Sequence, residues 1–134
     1  MARLILDTGV LVGAVRRRID LATLIAHDDV ALPTVVLTEY LVGVEADPVE
    51  ARRVAQRAFL DAVLTATPLE DYTTRVVPHH VELLQYTRRT GRSRGSIDLI
   101  IAATARATDR TLLTTDARAG FDDLPGVDAR VLSG

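Results

Sequence analysis

The stretch Arg3-Leu4-Ile5-Leu6-Asp7-Thr8 decides the reading of the fold. It is a short, unbroken apolar run, of the kind buried on both faces of a parallel sheet, and it ends in a carboxylate. Thr111-Leu112-Leu113-Thr114 repeats the pattern and runs out at Asp116. Helical periodicity fills the space between them. Helices are predicted over residues 10–17 and 19–26, then a strand over 30–32 stopped by Pro33, then a helix capped by Thr34 and running to 46. Pro48 is placed to open the next helix, to 65, and a weak strand follows over 67–69. Asp71 is read as the cap of a segment reaching Thr90, interrupted at Pro78 and stopped by Gly91. Residues 92–95 form a basic loop, 96–108 a nearly all-apolar helix, and 111–114 and 128–132 the last strands. Five strands alternating with helices predict an α/β sandwich with a mainly parallel sheet.

A chain of 134 residues is read as one domain, residues 1–134, and 48% hydrophobic residues supply an ample core. Aromatic residues are few, so Leu, Val, Ile and Ala must fill it. The formal net charge of −2 does not announce a nucleic-acid binder, although all 16 basic residues are arginine. The absence of lysine excludes Schiff-base chemistry and a phosphate-binding P-loop. The absence of cysteine excludes disulfides, thiolate catalysis and thiolate-held metals. Arg3 and Asp7 interrupt the first apolar run, so no signal-peptide core forms, and no stretch reaches the roughly 18 apolar residues of a membrane span. The expected location is the cytoplasm.

Four carboxylates stand where the apolar pattern gives them little excuse. Asp7 and Asp116 end strands, Asp98 sits in the first turn of the apolar helix Leu99-Ile100-Ile101-Ala102-Ala103, and Glu39 interrupts a stripe formed by Val35, Val36, Val42 and Gly43. Singly, Asp7, Asp98 and Asp116 also suit helix caps and turns. Glu39 suits neither. Ligands of an open parallel sheet collect at the carboxyl ends of its strands, where all four acids are expected to meet. Carboxylates brought together repel one another unless a cation neutralises them, and an oxygen-only set without His or Cys suits Mg²⁺ or Mn²⁺. Such an ion acidifies a water for phosphodiester hydrolysis.

Ile5-Leu6-Asp7-Thr8, Leu37-Thr38-Glu39, the run from Asp98 through Ala105 and Leu113-Thr114-Thr115-Asp116 together resemble the PIN-domain ribonucleases, and most of all the VapC-type toxins of bacterial toxin–antitoxin pairs. The likeness covers essentially the whole chain, and the Asp98 segment is its most specific part. It implies a three-layer α/β/α sandwich around a five-stranded sheet. It also implies that Asp7, Glu39, Asp98 and Asp116 are catalytic and metal-binding, with Thr8 and Thr114 as supporting hydroxyls. By the same resemblance the protein would be a Mg²⁺- or Mn²⁺-dependent endoribonuclease, a homodimer, and the target of a small cognate antitoxin. Relatives often place a further acid before an aromatic in the last loop. Here Ala119-Gly120 precede Phe121, so Asp122 is not counted among the ligands.

Arg92 and Arg94, just ahead of Asp98, are candidates for holding RNA phosphates, because the guanidinium fork pairs with phosphate bidentately. Arg88 and Arg89 read as a helix end favoured by its dipole, and Arg16-Arg17-Arg18 as a second candidate contact. His79 and His80 are adjacent on a helix and point about 100° apart, a poor chelate. Surplus apolar residues over 21–25 and 35–44 suit either core or an interface with a second copy or an antitoxin helix. Two rival readings compete. A haloacid-dehalogenase-like phosphatase also starts with a strand ending in Asp, but wants a second Asp where Gly9 stands and a later lysine. A catalytically inactive binding module of the same fold is the other.

Overall fold

The computed structural model describes residues 1–133. Five strands, β1 (Arg3–Leu6), β2 (Asp29–Pro33), β3 (Leu69–Glu70), β4 (Thr111–Thr114) and β5 (Ala129–Val131), form one sheet in the order β3-β2-β1-β4-β5. All neighbouring pairs are parallel. Helices α1 (Thr8–Val15), α2 (Leu21–His27), α3 (Thr34–Ala46), α4 (Glu50–Ala66), α5 (Val76–Thr90) and α6 (Ser96–Ala107) connect the strands and cover both faces of the sheet. The expected α/β sandwich is therefore present. From β1 the chain winds outward through β2 to β3, then returns past β1 to β4 and β5. The direction of winding thus reverses beside β1, and the crevice at the carboxyl ends of β1 and β4 is the place such a sheet offers a ligand.

Burial explains the central strands. Ile5, Leu6, Leu32, Leu112 and Leu113 have essentially no exposed surface. Val10 and Leu11 of α1, Val36 of α3 and Ile101 of α6 close over them. The small residues of α6, Ala102, Ala103 and Ala105, are buried as well, which lets that helix lie close against its neighbours. At the opposite, amino-terminal ends of β1 and β2, buried Arg110 ties the two strands: its Nη1 donates to the carbonyls of Leu4 and Asp29 and pairs with the Asp29 carboxylate, and its Nη2 lies 3.4 Å from the Glu70 carboxylate.

Several helix starts differ from the sequence expectation, each for a local reason. Thr34 caps nothing; its hydroxyl donates to Asp71, and Pro33 holds the N-cap position of α3 while pairing in register with Glu70 as the last residue of β2. At that strand end the missing N–H costs no ladder bond. Pro48 lies before α4, whose N-cap is Val49; the turn is closed instead by Asp47, which accepts from the Val49 N–H. Asp71 is engaged by Thr34, so α5 begins at Val76. Pro78 then falls in the first turn, where no intrahelical N–H is needed, and the helix is not broken. Gly91 stops α5 in the left-handed region (φ 66°), as expected of a C-terminal glycine. Among the described residues no helix is long and apolar enough to cross a membrane.

Candidate metal centre

Asp7 leaves the end of β1 and becomes the N-cap of α1. Its backbone N–H donates to the Leu113 carbonyl, extending the β1–β4 ladder by one residue. Its carboxylate is buried and held on both oxygens: Oδ1 accepts from the Thr8 N–H at 2.8 Å, and Oδ2 accepts from the Thr114 hydroxyl at 2.7 Å. The Thr114 hydroxyl also accepts from the Asp116 N–H at 3.0 Å, so one side chain ties the two strand ends together. Asp116 is exposed and caps the short 3-10 turn Ala117–Ala119 through its Oδ1. The Thr8 hydroxyl donates to Glu39 at 2.6 Å, linking α1 to α3. Asp98 is half-buried in the first turn of α6 and accepts no hydrogen bond from the described residues.

The capping role and the clustering of the acids are both real: Asp7 and Asp116 cap their turns and still converge. Electrostatics reports the convergence. The Asp98 carboxyl is pushed up to about 6, first by burial and then by the negative charges of Asp7, Asp116 and Glu39. Burial also raises Asp7; the Thr114 and Thr8 hydrogen bonds oppose that shift, and Glu39 and Asp116 add to it. No arginine appears among the groups acting on either carboxyl. Acids from four elements thus lie close enough together for their negative charges to raise Asp98 and Asp7. Among the described residues no three carboxylate or imidazole groups are already drawn into a ligand cluster. The donor set, oxygen only, is of the kind that suits a hard divalent cation.

Glu39 corrects the sequence argument. The face of α3 that meets the core carries Val36, Tyr40 and Val44, while Glu39 is exposed. It therefore interrupts no buried stripe, although it does reach the crevice. The arginines ahead of Asp98 are engaged within the protein. Arg92 pairs with Asp123 at 2.8 Å, and Arg94 donates to the carbonyls of Ala119 and Gly120 at 2.9 Å each. Together they tie the loop before α6 to the turn after β4. His79 and His80 lie on α5, and His80 meets the Tyr72 hydroxyl at 2.8 Å. A groove of about 500 Å³ is lined by Thr8 and Glu39 together with Val12, Val15, Val44, Arg16, Asp47 and Arg52.

Sequence reasoning missed Thr115. An added Cβ on Gly9 would overlap the Thr115 hydroxyl, so that hydroxyl occupies the space above the first turn of α1. The signal available in the sequence was only its place between Thr114 and Asp116.

Fold and site define a doubly wound α/β protein with a carboxylate crevice at the reversal of its sheet. The PIN domain matches residues 4–127, and the chain belongs to the PIN-domain family. Its structure is similar to chains of VapBC2 from Rickettsia felis bound to a promoter DNA fragment (TM-score 0.85, 24% identity, covering 97% of this chain and 98% of that one). It is also similar to chains of VapBC-5 from Mycobacterium tuberculosis, a member of the VapBC family of toxin–antitoxin systems (TM-score 0.78, 26% identity, covering 98% and 100%). VapBC bound to DNA from Salmonella typhimurium is a third likeness (TM-score 0.81, 19% identity, covering 98% of each chain). No curated protein matches the sequence significantly.

Proposed function

We propose that this chain is a metal-dependent endoribonuclease and the toxin of a toxin–antitoxin pair. The observation that carries the reading is the convergence of Asp7, Glu39, Asp98 and Asp116, whose negative charges act together on the Asp98 carboxyl. These four residues would hold Mg²⁺ or Mn²⁺, which when bound supplies an acidified water and neutralises charge on a phosphodiester. The protein's own part is to keep the acids oriented. Thr114 and the Thr8 N–H fix the Asp7 carboxylate, and the Thr8 hydroxyl fixes Glu39. RNA meets an acidic crevice, so basic groups at the rim must hold its backbone. Arg16 stands exposed in the groove lining, and Arg92 can exchange its exposed partner Asp123 for a phosphate. Arg94, turned onto two carbonyls, serves by holding the loop.

The antitoxin reading draws on the likeness to chains of VapBC complexes and on the groove beside Glu39, where Val12, Val15, Val44 and Ala55 alternate with Arg16, Asp47 and Arg52, a lining that suits an amphipathic helix. A homodimer is part of the same reading, with Leu41 and Val42 of α3 exposed. The test is cleavage of total cellular RNA by purified protein with Mg²⁺, Mn²⁺ or EDTA, beside Asp98→Asn. Discrete fragments that require metal and vanish in the variant are expected, and end mapping then identifies the RNA. No cleavage by folded, antitoxin-free protein overturns the nuclease reading.

A further inference from the structure

The crevice contains three threonine hydroxyls, and two of them are committed. The Thr8 hydroxyl donates to Glu39 and the Thr114 hydroxyl to Asp7. The third belongs to half-buried Thr115, between the residue that ties the strand ends and the acid Asp116. Gly9 gives it room. A Cβ built on that residue would collide with Thr115 Oγ1 and lie 3.5 Å from Thr115 Cβ, so a side chain there would make the hydroxyl turn aside, and Gly9 leaves it room over the first turn of α1. Among the described residues this hydroxyl meets no hydrogen-bond partner. A close approach between two chain segments 106 positions apart therefore holds an uncommitted hydroxyl between the strand ends that carry Asp7 and Asp116.

We infer that Thr115 is a positioning residue of the metal site, its oxygen accepting a hydrogen bond from a water in the hydration shell of the bound dication. This rests on the metal reading above and extends it to a residue outside the acid set. The chemistry is specific. Carboxylates serve best as direct ligands, whereas a Mg²⁺-type ion held by a few acids keeps several waters, and each of those waters needs an acceptor. A neutral hydroxyl accepts without adding a fifth negative charge to a crevice that already raises its own carboxyls. Such outer contacts typically cost 10–100-fold in metal affinity when removed.

The test is Mn²⁺ binding by titration calorimetry, with the melting temperature of each metal-free protein measured alongside. Thr115→Val keeps the shape and removes the hydroxyl; it is expected to weaken Mn²⁺ binding on the order of 10-fold with little change in metal-free melting. Thr115→Ser is expected to stay close to wild type. Gly9→Ser combined with Thr115→Ala moves a hydroxyl to the other side of the same contact, and should recover most of the affinity that Thr115→Val loses. Mn²⁺ binding by Thr115→Val equal to wild type overturns the inference and leaves the four-acid reading standing. Wild-type protein that binds no Mn²⁺ overturns the metal reading and this inference together.

Discussion

The Thr114 hydroxyl donates to Oδ2 of buried Asp7 across 2.7 Å, joining residues 107 apart in the chain. That bond couples packing to chemistry, because it crosses from β4 to the end of β1 at the winding reversal and orients the most buried of the four acids. Thr114→Val keeps the shape and deletes the donor. A buried carboxylate that loses a partner costs about 1–3 kcal/mol. The expected result is a lower midpoint in chemical denaturation and loss of metal-dependent cleavage, with Thr114→Ser close to wild type in both assays.

Asp98 makes the metal-free protein more stable in mild acid. Its folded carboxyl titrates at about 6 against 3.8 for an unperturbed one, so between those values the folded state binds more protons than the unfolded state. Stability therefore rises as pH falls through that window. Asp7, also raised, acts in the same direction. Asp47, held down to about 2 by its hydrogen bonds to Arg52 and the Val49 N–H, opposes this only below its unperturbed value of 3.8. In EDTA the melting temperature is expected to climb from pH 7.5 to about 5. Asp98→Asn should be more stable than wild type at pH 7.5 by ~1 kcal/mol, well under the full shift because the group is half-exposed, and its pH curve should be flatter.

Divalent metal should reverse that order. A ligand that binds only the folded state stabilises it by mass action, about 2.7 kcal/mol at 100 times its dissociation constant. Scanning calorimetry with saturating Mn²⁺ should raise the melting temperature of wild type and leave that of Asp98→Asn nearly unmoved. Equal shifts in both would remove Asp98 from the ligand set.

Arg94 predicts a defect at a distance. Arg94→Met keeps much of the side-chain length but removes the Nη1 that donates to both the Ala119 and the Gly120 carbonyl. Amide hydrogen exchange is expected to accelerate over residues 92–98 and 117–121, and RNA cleavage to fall while the rest of the sheet stays protected. Unchanged exchange would mean that the loop is held by other contacts.

Arg110 tests the opposite end of the sheet. Replacing it with methionine removes the donor to the Leu4 and Asp29 carbonyls and leaves the part-exposed Asp29 carboxylate with Arg3 alone, and a buried carbonyl left without its donor costs about 1–3 kcal/mol. The denaturation midpoint should drop, while Mn²⁺ affinity of the folded protein stays at its wild-type value, since these contacts lie at the amino-terminal ends of β1 and β2.

The sequence by itself determined the two strands that end in acids, the alternation that makes the sheet parallel, the apolar character of α6 and the stop at Gly91. Each of these is written in short-range periodicity or in the conformational freedom of one residue. It also singled out the four acids, because an aspartate closing an apolar run is visible without any knowledge of its neighbours. Only the tertiary structure decided what those acids touch. Glu39 was read as interrupting a buried stripe, yet α3 turns Val36, Tyr40 and Val44 inward and leaves Glu39 exposed in reach of Thr8. Arg92 and Arg94 stand out in the sequence as candidates to hold phosphate, and only the structure shows their partners in a turn 25–31 residues further on, an exposed carboxylate for Arg92 and two backbone carbonyls for Arg94. Thr34 and Asp71, each expected to cap a helix, cap nothing and bond to each other. Thr115 became visible only because Gly9 lies beneath it. Partner choice among polar groups is settled by contacts tens of residues apart, where hydrogen-bond geometry and burial outweigh any local propensity, and a linear pattern carries no record of them.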